Sequence, residues 1–176
     1  MRVLLHTCCG PCASACVPRL ADEGHDVALF YSNCNINTAD EFERRRAAAA
    51  KLAENDGVPL VVDEYDHARW LAEVAAGYEA EPEKGARCER CFRFSLSRAA
   101  RYAAEHGYEA FATSLTVSPH KVSPMVFAAG DAAAAGESGV KFLHEDFKKR
   151  EGFKVSVRRA AELGLYRQSY CGCEFS

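Results

Sequence analysis

Short apolar runs alternate along the chain with longer amphipathic segments. The runs predict strands over Arg2–His6, Asp26–Tyr31, Val58–Glu64, Ala110–Leu115 and Val140–His144. The amphipathic segments predict helices over Pro11–Glu23, from Thr38 or Asp40 to Asn55, and over Ala68–Ala76, Cys88–His106, Pro124–Ala135 and 153–163. Strands that alternate with helices of this length are typical of a mainly parallel sheet. The sequence therefore predicts an α/β fold of three layers (α/β/α) with a Rossmann-like sheet of about five strands, in one domain over residues 1–176.

The end of the first predicted strand is the expected place for a ligand. Ligands of open α/β sheets bind beyond the carboxyl ends of the strands. Cys8 and Cys9 lie at that position, directly before a helix whose positive N-terminus stabilises thiolates. The chain has neither a Walker loop nor a Gly-x-Gly-x-x-Gly motif. Sulfur therefore occupies the place that a phosphate-binding loop takes in nucleotide-binding proteins.

The composition is that of an ordinary globular protein. The 176 residues are 48% apolar and 27% charged, which is enough to bury a core in one domain. The apolar run Met1–Leu5 is too short for the core of a signal peptide, and no run approaches the roughly 20 residues of a membrane helix. We therefore expect a cytoplasmic protein without a membrane partner, in which clustered cysteines form metal or redox sites rather than a disulfide framework.

The nine cysteines are concentrated in a few short segments. Cys88 and Cys91 are one turn apart at the start of a helix, a common bidentate arrangement. Together with Cys8 and Cys9 they would satisfy a four-iron cluster or a tetrahedral zinc ion. A thiol redox site without metal is the third alternative. The location at a substrate edge and the surplus of cysteines favour iron–sulfur over zinc, and Cys12 is close enough to supply a further ligand.

The other cysteines have separate interpretations. Cys171-Gly-Cys173 can close a small strained disulfide, which suits a redox relay better than a structural staple. Metal ligation by one of the pair, or an incidental spacing, are the alternatives. Cys16 is interpreted as a small buried apolar residue. Cys34 also follows a predicted strand, and its role stays ambiguous.

Charge is distributed unevenly between the two halves of the chain. Residues 1–86 carry 8 Lys/Arg and 15 Asp/Glu, whereas residues 87–176 carry 14 and 10. A basic half of this kind can follow a phosphate backbone, although charge alone favours the alternative that these residues form solvated helix faces.

Motifs along nearly the whole chain carry a family resemblance. They are His6-Thr-Cys-Cys-Gly-Pro-Cys12, Tyr31-Ser-Asn-Cys-Asn-Ile36, Arg87-Cys-Glu-Arg-Cys91, Ala112-Thr-Ser-Leu115, Ser118-Pro-His-Lys121, Asp146-Phe147 and Tyr166-Arg-Gln-Ser-Tyr-Cys-Gly-Cys173. With these motifs the chain resembles the QueH-type, cobalamin-independent epoxyqueuosine reductases. Cys34 stands where that family usually has proline, and Lys148 where it usually has arginine.

The resemblance implies an oxidoreductase that converts epoxyqueuosine to queuosine at the wobble position of tRNA, the last step of queuosine synthesis. It implies a [4Fe-4S] cluster on Cys8, Cys9, Cys88 and Cys91 and a redox-active disulfide pair, Cys171 and Cys173. It also implies a second, mononuclear iron, for which Cys12 is the candidate ligand. The expected partners are tRNA carrying epoxyqueuosine and an external electron donor of the ferredoxin or flavodoxin type.

Several further residues are candidates for roles in this reaction. Removal of the epoxide oxygen takes two electrons and two protons. The candidate proton donors are His6, Glu41 and Asp146, and for each of them a structural role as a helix cap or hydrogen-bonding partner is the alternative. The candidates for stacking on the modified base are Tyr31, Tyr166 and Tyr170. The candidates for phosphate contacts are Arg98, Arg101 and Lys148–Arg150.

Two other classes of function compete with the reductase. One is a zinc-stabilised RNA-binding module without catalysis. The other is a relative of the tRNA sulfur transferases, which share the α/β arrangement but normally need an ATP-binding phosphate loop that this chain does not have.

Overall fold

The computed structural model describes all residues, 1–176, and has a central parallel sheet. The strands follow the edge-to-edge order β3-β2-β1-β4-β5, and every neighbouring pair is parallel. They are β1 (Arg2–His6), β2 (Asp26–Tyr31), β3 (Leu60–Val62), β4 (Ala110–Thr113) and β5 (Lys141–Phe142). The predicted fold class is confirmed.

Six α-helices connect and cover the strands. They are α1 (Gly10–Asp22), α2 (Ala39–Asp56), α3 (His67–Trp70), α4 (Ala86–Glu105), α5 (Ser123–Ala135) and α6 (Gly152–Leu163). A π-helical turn, Leu71–Ala75, continues α3, and 3-10 turns occur at Ser114–Val117 and Lys149–Glu151. None of the helices combines the length and apolar composition needed to cross a bilayer.

The sheet separates two apolar cores because successive side chains of a strand point to opposite faces. Val3 and Leu5 of β1 pack in one core, with residues of α1, α2 and α6. Leu4 packs in the other core, with residues of α4 and α5. Both faces of β1 are thus buried, which explains why its sequence is continuously apolar rather than alternating.

Three strands are shorter than the sequence predicts. β3 and β5 lie at the two edges of the sheet, where only one neighbour fixes the pairing. β4 ends at Thr113 because the side chain of that residue accepts a hydrogen bond from the Leu115 amide at 3.2 Å and so begins the 3-10 turn. The predicted helix Ala68–Ala76 is likewise α3 followed by the π-helical turn rather than one regular helix.

Candidate metal and redox site

A cavity of about 660 Å³ lies at the carboxyl edge of the sheet. It borders the junction between β1 and β4, where the strand order reverses. Ligands of open α/β sheets bind at such a point. Seven of the nine cysteines line this cavity, namely Cys8, Cys9, Cys12, Cys88, Cys91, Cys171 and Cys173. Three cysteine segments that are far apart in sequence therefore meet in one place.

The first cysteine segment forms a compact group of three sulfur atoms. Cys8, Cys9 and Cys12 have Sγ atoms that all lie within 4.8 Å of one another. Cys9 is the N-cap of α1, and its sulfur accepts a hydrogen bond from the Cys12 amide at 3.5 Å. The Ser114 hydroxyl donates to the Cys8 sulfur at 3.2 Å and accepts from the Cys8 amide at 3.0 Å. The turn after β4 therefore fixes the turn after β1.

The hydrogen bonds within this group distribute its charge unequally. Hydrogen bonds with the Cys12 and Cys8 thiols hold the pKa of Cys9 well below its ordinary value. Hydrogen bonds with Cys8 and Cys9, together with burial, raise the pKa of Cys12 well above it. The first negative charge is thus placed on the sulfur at the N-terminus of α1, where the helix dipole favours it.

Close packing sets the position of the same turn relative to α2. A side chain at Gly10 would bring its Cβ within 2.9 Å of the backbone carbonyl carbon of Ala48. Glycine is therefore required at the start of α1 for the two helices to approach this closely.

The second cysteine segment lies in the first two turns of α4. Cys88 accepts a hydrogen bond from the Lys84 amide at 3.4 Å, and burial raises the pKa of Cys91. Neither sulfur belongs to the compact group around Cys9. The structure thus brings the four predicted cluster ligands to one cavity but places only Cys8 and Cys9 in the compact group, with Cys12 as its third member.

The third segment is the C-terminal tail, in which Cys171 is exposed and Cys173 is buried. Both are free thiols in the structure. The Lys121 ammonium donates a hydrogen bond to the Cys171 sulfur at 2.8 Å. Burial alone would lower the pKa of Lys121, but the Cys171 sulfur raises it above the ordinary value of 10.5, so the cation is maintained beside that sulfur.

A buried arginine of α2 holds the tail against the body of the protein. Arg45 is only 1% exposed and donates to the carbonyl oxygens of Cys171 at 2.6 Å and Tyr170 at 3.2 Å. Its Nε atom donates to Glu41 at 2.9 Å, which compensates the buried charge. Gly172 has φ +137°, and a Cβ there would meet the Arg45 guanidinium at 3.1 Å. A larger residue between the two cysteines would therefore disturb this attachment.

The predicted proton donors have structural partners. His6 lines the cavity, but its Nδ1 lies 2.9 Å from Thr113 Oγ1 and its Nε2 lies 3.1 Å from the Ser32 carbonyl oxygen. Burial lowers the pKa of His6, so the ring joins the ends of three strands as a neutral group. Glu41 and Asp146 do not line the cavity. Glu41 accepts hydrogen bonds from Arg45 and Tyr166 instead.

Only one of the three predicted stacking tyrosines reaches the cavity. Tyr170 lines it, whereas Tyr31 and Tyr166 do not. Tyr31 is fully buried and donates to the Phe42 carbonyl oxygen at 2.8 Å, so its ring belongs to the core. The two remaining cysteines lie away from the cavity. Cys16 is fully buried as predicted, and Cys34 is buried against the Glu64 carbonyl oxygen.

Most of the predicted phosphate-binding cations are engaged within the protein. Arg98 donates to Asp63 at 2.6 Å, and Arg101 lies 3.8 Å from Glu137. Lys148 donates to Ser123 Oγ at 2.6 Å and to the Lys121 carbonyl oxygen at 3.0 Å, so it supports the loop of Lys121. Of the predicted set, only Lys149 and Arg150 are exposed without an ion-pair partner.

Ser114, Lys121, Arg45 and Gln168 were not identified as functional residues from the sequence. Ser114, Lys121 and Gln168 belong to motifs that carry the resemblance, which is the signal in the sequence for them. Arg45 has no such signal, because it is one of three consecutive arginines on an Ala-rich helix. Gln168 lines the cavity, and its Oε1 is buried without a hydrogen-bond partner.

Comparison with known proteins agrees with this arrangement. The family model described as epoxyqueuosine reductase QueH matches residues 3–176. The chain is 37% identical to the epoxyqueuosine reductase QueH of Thermotoga maritima, over 99% of this chain and 89% of that protein. It is 35% identical to that of Dehalococcoides mccartyi (99% and 92%) and 34% identical to that of Acinetobacter baylyi (99% and 80%). The chain belongs to the epoxyqueuosine reductase QueH family.

Proposed function

We propose that this protein reduces epoxyqueuosine in tRNA to queuosine, with an iron–sulfur centre and a dithiol in one cavity. Family membership gives the reaction. The observation that carries the rest is the convergence of seven cysteines from three segments on the substrate edge of the sheet. A zinc-stabilised binding module needs only four thiolates, so the surplus of cysteines favours redox chemistry over a structural metal.

The donor atoms fit iron. Cys8, Cys9, Cys88 and Cys91 would hold a [4Fe-4S] cluster, since soft thiolates are its usual ligands. Cys12 would serve a mononuclear iron beside it. The Cys8 and Cys9 sulfurs lie 4.0 Å apart and line the same cavity, so each can offer a thiolate to a different iron of one cluster.

When bound, a cluster of this kind supplies single electrons, and an iron ion with an open position polarises a substrate oxygen. The chain's own contribution is the Cys171–Cys173 dithiol. Oxidation of two thiols to a disulfide releases two electrons and two protons. Conversion of an epoxide to an alkene and water consumes the same number of each. The two half-reactions therefore balance, and an external donor of the ferredoxin or flavodoxin type would then reduce the disulfide.

Lys121 and Arg45 prepare the dithiol for this role. The Lys121 ammonium stabilises a thiolate at Cys171, which is the reactive form in thiol–disulfide exchange. Arg45 fixes the backbone of the pair over the cavity. The charged residues that line the cavity are mainly basic (Lys84, Arg87, Lys121 and Arg167 against Glu83), which suits a nucleic-acid substrate.

The direct test uses protein reconstituted with iron and sulfide under exclusion of oxygen. A tRNA anticodon stem-loop with epoxyqueuosine at the wobble position is the substrate, and mass spectrometry follows the loss of one oxygen atom. The reconstituted protein should convert the substrate with dithionite as the reductant. Cys171→Ser and Cys173→Ser should lose multiple turnover while keeping the iron. Conversion by a preparation free of iron, or full activity of both serine variants, would contradict the proposal.

A further inference from the structure

Exposed apolar side chains are concentrated at the mouth of the cavity. Five large apolar residues are well exposed, and three of them line this cavity: Val122 (40% exposed), Phe153 (39%) and Tyr170 (38%). The other two, Met1 and Val62, lie elsewhere. Exposed apolar groups that gather at one rim indicate a binding surface, whereas scattered ones do not.

Phe153 is the member of this rim with the most informative surroundings. The Arg167 guanidinium carbon lies 5.8 Å from the centre of its ring, and Arg167 also lines the cavity. Arg167 is exposed and has no ion-pair partner. The same is true of Lys149 and Arg150, which come just before Phe153. An aromatic face, a guanidinium plane and unpaired cations thus occur together at the entrance.

The backbone before Phe153 is unusual and firmly held. Arg150 and Glu151 both have φ +57°, a left-handed conformation that non-glycine residues rarely adopt. A side chain at Gly152 would overlap the carbonyl oxygen of Phe147. Arg19 donates to the Lys149 carbonyl oxygen at 3.3 Å. Strained turns persist where the surrounding structure fixes them, often at functional sites, and this turn determines where the ring of Phe153 is presented.

We propose that Phe153 and Arg167 form a stacking platform for an unpaired RNA base that neighbours the modified nucleotide, while Lys149 and Arg150 contact the adjacent phosphates. The proposal rests on the function proposed above. Proteins recognise single-stranded loops of RNA by stacking bases on aromatic rings and guanidinium planes and by tracking the backbone with cations. The rim supplies each of these groups beside the cavity that would receive the wobble base.

The test measures affinity for the anticodon stem-loop by fluorescence anisotropy, with reconstituted full-length protein. Phe153→Ala should weaken binding roughly 5- to 150-fold, the range found for loss of base–aromatic stacking. Phe153→Trp should bind like the unaltered protein, because it keeps a stacking face. Val62→Ala removes an equally exposed apolar side chain (43%) away from the cavity and should change nothing. The double variant Lys149→Gln/Arg150→Gln should lower the slope of affinity against salt concentration.

The outcomes separate this inference from the function on which it rests. Unchanged stem-loop affinity of Phe153→Ala, in a variant that melts like the unaltered protein, overturns the platform. Slower turnover of Phe153→Ala with a protein electron donor but not with dithionite would assign the rim to that donor and also overturn it. If the unaltered protein fails to deoxygenate the stem-loop, the proposed function fails, but the binding comparison still decides the platform.

Discussion

The Lys121 ammonium lies 2.8 Å from the Cys171 sulfur, although 50 residues separate the two in sequence. The loop of Lys121 is itself held by Lys148, whose ammonium donates to the Lys121 carbonyl oxygen. The loop between β4 and α5 thus fixes a cation beside the exposed cysteine of the proposed dithiol.

Lys121→Met should slow alkylation of Cys171 by iodoacetamide severalfold at pH 7, because the variant lacks both the hydrogen bond and the positive charge that favour the thiolate. Mass spectrometry of the C-terminal peptide measures the rate. Lys121→Arg should retain most of it, and Lys141→Met, at an exposed position of β5, is the control. Since the pKa of Lys121 is raised above 10.5, the ammonium stays charged throughout pH 7–10. The difference in rate should nevertheless shrink above about pH 8.5, where an unassisted cysteine ionises on its own. An alkylation rate of Cys171 in Lys121→Met equal to that of the unaltered protein would refute this role of Lys121.

Arg45→Gln should reduce both stability and reductase activity. Loss of the guanidinium leaves Glu41 with Arg44 as its remaining ion-pair partner and releases the Cys171 and Tyr170 carbonyl oxygens, which should cost about 1–3 kcal/mol. The double variant Glu41→Gln/Arg45→Gln should recover part of the stability but not the activity, because the tail remains unattached. Urea unfolding and single-turnover assays measure the two effects, with Arg46→Gln, at a half-buried position that pairs with Glu43, as the control. Recovery of activity together with stability would contradict a specific role in holding the tail.

Asp63→Asn should destabilise the protein by about 1–3 kcal/mol at pH 7 by breaking its pair with Arg98. Burial raises the pKa of Asp63, but hydrogen bonds from Arg98 and Ser32 outweigh it and hold the value below the ordinary 3.8. A carboxyl with a lowered folded pKa contributes stability above its unfolded pKa and loses it as pH falls. The difference between the two proteins should therefore shrink below about pH 4. Urea unfolding from pH 7 to pH 3 measures it, and a constant difference would exclude the pair as its cause.

Single alanine variants of Cys8, Cys9, Cys88 and Cys91 should each lower the bound iron and sulfide severalfold after anaerobic reconstitution. Cys16→Ala should keep both, since that thiol is buried outside the cavity and donates only to the Cys12 carbonyl oxygen. Cys12→Ala should lose less iron than the cluster variants and no sulfide, as expected for the ligand of a separate mononuclear ion. Metal and sulfide analysis with visible spectra decides among these outcomes. Equal losses in all five cavity variants would argue against two distinct metal positions.

The fold was predictable because its signals are local. The continuous apolar run Val3-Leu4-Leu5 predicts a strand buried on both faces. In the structure Val3 and Leu5 are buried on one face of the sheet and Leu4 is buried on the other. The rule that ligands bind beyond the carboxyl ends of strands placed Cys8 and Cys9 at the cavity. The approach of Cys88 and Cys91 was inferred from the four thiolates that a cluster or a zinc ion needs. Glu41 and Asp146, in contrast, were placed in the pocket because they lie near element ends, whereas both serve structural hydrogen bonds.

The tail contacts could not be predicted from the sequence. Arg45 and Cys171 are 126 residues apart, and an arginine in an Ala- and Arg-rich helix ordinarily faces solvent. Its burial depends on the path of the tail, which has no regular secondary structure and hence no periodic pattern. Tyr31 shows the reverse case, since a tyrosine at a strand end could face either the ligand or the core, and only the hydrogen bond to Phe42 decides for the core.

Helix α2 carries no cysteine, yet it contacts and positions two of the three cysteine segments. Ala48 sets how closely the first segment approaches through Gly10, and Arg45, three positions earlier on the same helix, sets the height of the tail. A displacement of α2 would therefore disturb both segments at once. Arg45 and Ala48 are about one helical turn apart, so this short stretch of α2 sets the spacing between the proposed metal ligands and the proposed dithiol.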